Sequence, residues 1–202
     1  VIGFRVTFIS NSSNKITELR YNYKVLAVGA VNNISAAVQL DNVLASNVQS
    51  VTGQSAGVGV PFVITSNGTE SGVTKAVIPF FNNIKNILGF TTSFFNTDPA
   101  DGSYVPPVEK QVVIKFVSPV DATSLSMSSF NFFIVVNNRG KEIHLPGFQP
   151  TSLFNNSYAL SGNLSSTDKF IHADGMMWGL MIPEIFKYPS ENVQSSVNHF
   201  SL

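Results

Sequence analysis

The chain has 202 residues, about one domain's worth, with 12 Lys and Arg against 12 Asp and Glu, so its net charge is zero. That balance argues against the basic face that displaces counterions from nucleic acid and against a polybasic membrane anchor. The lack of Cys removes disulfides, thiolate metal sites and Cys nucleophiles.

Charged residues make up 12% of the chain, about half the usual share of roughly 25%. Asn, Ser and Thr (20, 25 and 12 residues) fill the gap, and 44% apolar content with 23 aromatic residues is ample for a packed core. No window approaches the ~20 apolar residues that cross a bilayer, so insertion by this segment is not expected. Residue 1 is Val, with no basic region and no apolar run of signal length after it. The chain is therefore expected to be a processed form or an excised piece, with any export signal or lipid-attachment Cys outside it.

Alternation with period 2 dominates, which is the mark of half-buried strands. Ile2, Phe4, Val6 and Phe8 share one face; Leu19, Tyr21, Tyr23, Val25 and Ala27 share another, opposite Glu18, Arg20, Asn22 and Lys24. The turn formers Ser10 to Asn14 between them predict a long hairpin over residues 2–27. Shorter strands are expected near 35–40, 47–52, 59–65, 73–80 and 177–182. Phe80 to Leu88 can hold one short helix with Gly89 as its C-cap. Gln111 to Val117 alternates again, with Val112, Ile114 and Phe116 inward. A second hairpin is expected over 130–146. Phe132 to Val136 suits a strand covered on both faces, and Asn137 to Gly140 tolerate positive φ. Glu142 and His144 then lie opposite Ile143 and Leu145. Residues 146–175, rich in Asn, Ser and Gly, form a long irregular crossing, of a kind that is often functional or a lid. The pattern is all-β: one antiparallel β-sandwich domain over 1–202, jelly-roll-like, with that crossing loop.

Few residues carry chemistry. His144 and Glu142 share a strand face, which sets an imidazole beside a carboxylate or simply makes a solvated polar face. His172 and Asp174 offer two ligands where zinc wants three or four; His199 stands alone. Asp98 and Asp101 beside Thr97 offer oxygens for calcium, or they are Asx-turns capping their own backbone. Gly53-Gln54-Ser55-Ala56-Gly57 has the letters of a nucleophile elbow, but Gly57 to Pro61 cannot supply the helix that must follow. Asn-x-Ser/Thr triplets at Asn11, Asn33, Asn67, Asn155 and Asn163 are expected by chance in so Ser- and Thr-rich a chain. Tyr104, Phe148, Phe154, Tyr158, Trp178 and Tyr188 are candidates for a sugar-stacking platform, or are core and loop anchors.

Two stretches are distinctive: Phe130-Asn131-Phe132-Phe133-Ile134-Val135-Val136-Asn137-Asn138-Arg139-Gly140-Lys141-Glu142-Ile143-His144-Leu145-Pro146-Gly147-Phe148-Gln149-Pro150-Thr151, and Trp178-Gly179-Leu180-Met181-Ile182-Pro183-Glu184-Ile185-Phe186-Lys187-Tyr188-Pro189-Ser190-Glu191. Together with Val48 to Gly53 and the first hairpin, they resemble the LruC-type domain, a family of unknown function in exported bacterial proteins, many of them Bacteroidetes or spirochaete lipoproteins. The resemblance implies a β-sandwich at the cell surface, the outer membrane or in the periplasm, with no established reaction. Members usually carry closely spaced acids, suited to calcium, just before the strand matching Val1 to Phe8; no residue of this chain matches them.

Within these stretches Arg139, Glu142 and His144 exceed packing needs; with Trp178 they are the expected binding patch, or the three simply tie the hairpin to the long crossing. The expected function is a non-catalytic envelope or extracellular module, binding or structural, with polysaccharide or envelope protein as partner and neither nucleic acid nor an obligatory cofactor. The alternative is a hydrolase with its site beneath the 146–175 crossing.

Overall fold

The computed structural model describes residues 2–28, 32–55, 61–88, 95–96, 106–158, 170–171, 174–177, 179 and 181. The first hairpin forms as the alternation requires. Strands β1 (Ile2–Ser10) and β2 (Ile16–Val25) pair antiparallel from Ile2 opposite Val25 to Ile9 opposite Glu18. A two-residue strand β3 (Ala27–Val28) follows. Next come β4 (Ile34–Leu44), β5 (Val48–Thr52) and β6 (Lys75–Phe81). The short strand β7 (Phe95–Asn96) pairs with β3, and β8 (Val108–Val120) is the longest described strand. The second hairpin consists of β9 (Phe130–Val136) and β10 (Glu142–His144).

Two four-stranded antiparallel sheets result, ordered β1-β2-β8-β5 and β10-β9-β4-β6. Their facing surfaces are the apolar sides of the alternating strands. Leu19, Tyr21, Tyr23 and Val25 of β2 and Val112, Ile114 and Phe116 of β8 pack against Ala36, Val38 and Leu40 of β4, Ile78 and Phe80 of β6, and Phe130 of β9. The Tyr21 ring lies 5.5, 5.9 and 6.0 Å from the rings of Phe80, Phe130 and Phe132, so aromatic contacts join the layers. The protein is an all-β sandwich.

The sheets differ on their outer faces. That of the first carries exposed Arg5, Arg20, Glu109 and Lys115. The outer face of the second is covered: Phe62 and Val73, on the loop between β5 and β6, close over Ala37, Val77, Phe133 and Val135. The β9 run is thus covered on both sides, as its unbroken apolar sequence predicts.

Two expectations along the chain are corrected. Of the strand near 59–65, the described residues 61–65 show only an isolated bridge between Ile64 and Glu70. The expected helix shrinks to α1 (Ile84–Ile87), which starts where the Asn83 side chain accepts from the Lys85 N–H at 3.0 Å. Phe80 and Phe81 belong to β6 instead. A register shift sets Ala36 opposite Phe81 and Ala37 opposite Pro79, and both rings join the core between the sheets. Gly89 lies outside the described residues.

Candidate functional site

The hairpin β9–β10 brings together three of the four residues expected as a binding patch, but it buries Glu142 and His144 and half-buries Arg139. His144 is 1% exposed and Glu142 4%. Of the two readings of this face, the imidazole beside the carboxylate is the one that forms, because the polar face of β10 turns inward, beneath the start of the crossing, and not to solvent. Asn137 at φ 62° and Gly140 at φ 96° close the turn. A Cβ on Gly140 would lie 3.0 Å from the Leu153 carbonyl, so a glycine lets the crossing press against the hairpin.

Arg139, on this turn, extends over the outer face of the second sheet. Its Nε and Nη2 donate to both carboxylate oxygens of Glu70, at 2.5 and 2.7 Å, a bidentate pair. Its Nη1 donates to Glu142 Oε1, and its Nη2 also reaches Thr151 Oγ1 at 3.0 Å. The guanidinium lies 5.5 Å from the ring centres of Phe62 and of Phe133. Glu142 accepts further from the Thr151 hydroxyl, from the Thr151 N–H at 2.9 Å and from His144 Nε2 at 2.7 Å. The imidazole stacks on Phe133 at 4.6 Å and lies 4.8 Å from the Phe170 ring.

Asn131 completes the set. Its Nδ2 donates to the Gln149 carbonyl at 2.8 Å, which turns its Oδ1 toward His144 Nδ1 at 2.6 Å. Both ring nitrogens are therefore engaged by side-chain oxygens.

The two carboxylates differ in support. Burial alone would raise Glu142, but the bonds from His144, Thr151 and Arg139, with the Arg139 charge, outweigh it and hold the carboxyl at about 2. Glu70 has Arg139 as its side-chain partner and is pushed up, first by burial and then by the Glu142 charge, more than Arg139 lowers it. Burial lowers Arg139, and its two carboxylate partners outweigh that and raise it.

Every polar side chain in this cluster is taken. A general base must come within about 2.6–3.2 Å of a substrate proton, and both His144 nitrogens are occupied and covered. The neighbouring hydroxyl, Thr151, donates to Glu142 rather than to the imidazole. The arrangement therefore serves as a tie. It fastens the β5–β6 loop through Glu70 and the start of the crossing through Thr151 and Gln149 to the second hairpin.

The other candidates fall elsewhere. Trp178, Asp98, Asp101, His172, His199, Tyr104, Tyr188 and Asn163 lie outside the described residues, as does 159–169 of the crossing. Asp174 Oδ1 accepts from the Met176 N–H at 3.0 Å, a local turn. Phe154 packs edge-on to buried Phe170 at 6.1 Å, and Phe148 is half-buried. Ser55 bridges Phe81 at the rim of the second sheet. Asn67 spends its side chain on Thr65, Thr69 and the Ala45 and Val48 carbonyls. No group of three or more His, Cys, Asp or Glu able to hold a metal occurs among the described residues. No helix among them is long and apolar enough to cross a membrane.

Sequence reasoning missed Glu70, Asn131 and Thr151. Asn131 left a trace, as one polar residue inside an aromatic strand; Glu70, separated from Arg139 by 69 positions, left none.

The family model described as Domain of unknown function (DUF4842) matches residues 14–199. No curated protein matches the chain. Among solved structures, a candidate lipoprotein from Bacteroides ovatus shares the fold, with a TM-score of 0.54 and 18% identity. The match covers 88% of this chain and 56% of the neighbour, so the chain spans just over half of that protein.

Proposed function

Since the chain belongs to the DUF4842 family of domains of unknown function, we propose that residues 1–202 form one non-catalytic module of an exported bacterial protein, binding polysaccharide at the envelope or cell surface. The carrying observation is the closed cluster around Glu142: the residues with the most chemistry hold loops onto the sandwich and present no free base. The hydrolase alternative beneath the 146–175 crossing loses its best candidate base with them. The LruC-type resemblance of residues 130–151 and 178–191 supports the exported address. So does the candidate lipoprotein from Bacteroides ovatus, which has the same fold. A surface rich in uncharged hydrogen-bonding side chains suits polyhydroxylated partners. Asp98 and Asp101 are the proposed calcium ligands.

The test is a polysaccharide and glycan array probed with the whole chain, with calcium and with a chelator, alongside a panel of chromogenic glycoside and ester substrates. Binding without turnover is the expected result, and loss of binding on chelation would assign calcium a part in it. Turnover that survives purification would overturn the non-catalytic reading. A blank array in both conditions would overturn polysaccharide binding and leave a purely architectural module.

A further inference from the structure

Overall neutrality conceals a local asymmetry. On the outer face of the first sheet the register sets Gly3, Lys24 and Glu109 in one row, then Arg5, Asn22 and Gln111, then Thr7, Arg20, Val113 and Thr52, then Ile9, Glu18, Lys115 and Ser50. Four of the chain's 12 basic residues stand here, against two of its 12 acidic ones. Glu18 is nearly covered: its side chain is 14% exposed, under Arg20 at 2.5 Å and Lys115 at 4.0 Å, both about half exposed. Glu109 meets Lys24 at 3.4 Å. Exposed Arg5 has no carboxylate partner among the described residues, and sits diagonally between Arg20 and Lys24, where same-face neighbours are about 7–8 Å apart. Beside it lies an open depression of about 400 Å³, lined also by Gly3, Asn22, Lys24 and Glu109. The Gln111 amide donates to Asn22 Oδ1 at 2.9 Å, fixing polar groups at the centre of the face.

We propose that this face binds an acidic polysaccharide, one that carries carboxylates along its chain. This rests on the polysaccharide-binding reading above and names the ligand class and the surface. The charge complementarity is specific: Arg5 offers an unspent fork of donors suited to a carboxylate, with Lys24 and Arg20 flanking it and neutral hydrogen-bonding groups between for hydroxyls. Among the described residues the second sheet has no equivalent, because the β5–β6 loop covers its outer face.

The experiment measures binding of the whole chain to polygalacturonate, to neutral dextran and to duplex DNA, at low and high salt. It compares the natural chain with a doubly reversed variant, Arg5→Glu with Lys24→Glu, and with Lys75→Glu on the second sheet as a control. Exposed positions such as these leave the fold intact, which circular dichroism checks. The expected result is salt-sensitive binding to polygalacturonate, weakened at least about tenfold by the double reversal and unchanged by Lys75→Glu. Binding to dextran alone would overturn the acidic ligand while sparing the module reading. No binding to polygalacturonate, equal binding by the double variant, or equal binding to DNA would each overturn the proposal.

Discussion

Glu142→Gln keeps the size of the side chain and removes its charge, and four donors reveal the loss. In the native cluster the carboxylate accepts from Arg139, from His144 and twice from Thr151. An amide has one acceptor oxygen, so either orientation aims its NH₂ at buried donors and leaves Arg139 or His144 without its acceptor. Glu142 is held at about 2 against an ordinary 4.5, and each unit is worth about 1.4 kcal/mol, so the ionised carboxylate contributes about 3 kcal/mol. Breaking a buried ion pair on one side costs a similar 3–5 kcal/mol or so. For a chain of this length that lowers the melting temperature by roughly 6–12 °C. The assay is urea and thermal unfolding of both proteins followed by circular dichroism.

The pH dependence has a definite sign. A carboxyl whose folded value lies below its unfolded one contributes fully above the unfolded value, and the contribution fades as pH falls toward the folded one. The advantage of the natural chain over Glu142→Gln is thus complete above about pH 5 and gone near pH 2. Glu70, pushed up, acts in the opposite sense, but both proteins carry it and it largely cancels in the difference. A destabilisation under about 1 kcal/mol at neutral pH, the size for a solvated pair, would refute the buried cluster.

Two further substitutions probe the sandwich and the hairpin. The Tyr21 hydroxyl is fully buried with no hydrogen-bond partner among the described residues, so Tyr21→Phe leaves stability unchanged or raises it by about 1 kcal/mol in urea unfolding; a clear loss would reveal a partner. Gly140 and Gly147 both have positive φ, yet a Cβ meets the Leu153 carbonyl at 3.0 Å at the first and nothing within 4 Å at the second. Gly147→Ala should cost about 1 kcal/mol of backbone strain, and Gly140→Ala distinctly more, with weakened protection of the Asn155 N–H, which donates to the Gly140 carbonyl at 3.0 Å, from hydrogen exchange.

The sandwich was legible because its strands obey period 2 and its hairpins are local. Leu19, Tyr21, Tyr23 and Val25 declare a buried face, and Asn137 to Gly140 declare a turn, without reference to distant residues. The unbroken run from Phe132 to Val136 even announced that both faces of its sheet are covered. The candidate site was half legible. Arg139, Glu142 and His144 stood out as chemistry beyond packing, yet alternation gives two faces of β10 without saying which one a loop will cover. That decision belongs to Glu70, Phe62 and Thr151, brought in by segments whose sequence shows no periodicity. The charged face of the first sheet was present in the alternation of Glu18, Arg20, Asn22 and Lys24. Its meaning depended on register, which sets Arg5 between Arg20 and Lys24, and Glu18 under Arg20 and Lys115.

His144 and its partners form a closed structural tie. The most direct measurement is carbethoxylation of His144 by diethylpyrocarbonate in the folded chain, mapped by peptide mass spectrometry and compared with the unfolded chain. His144 is expected to stay unmodified until the fold is lost, because the ring is covered and both nitrogens are engaged. Modification of folded His144 at the rate of the unfolded chain would contradict it and return a reactive imidazole to the list of possible bases.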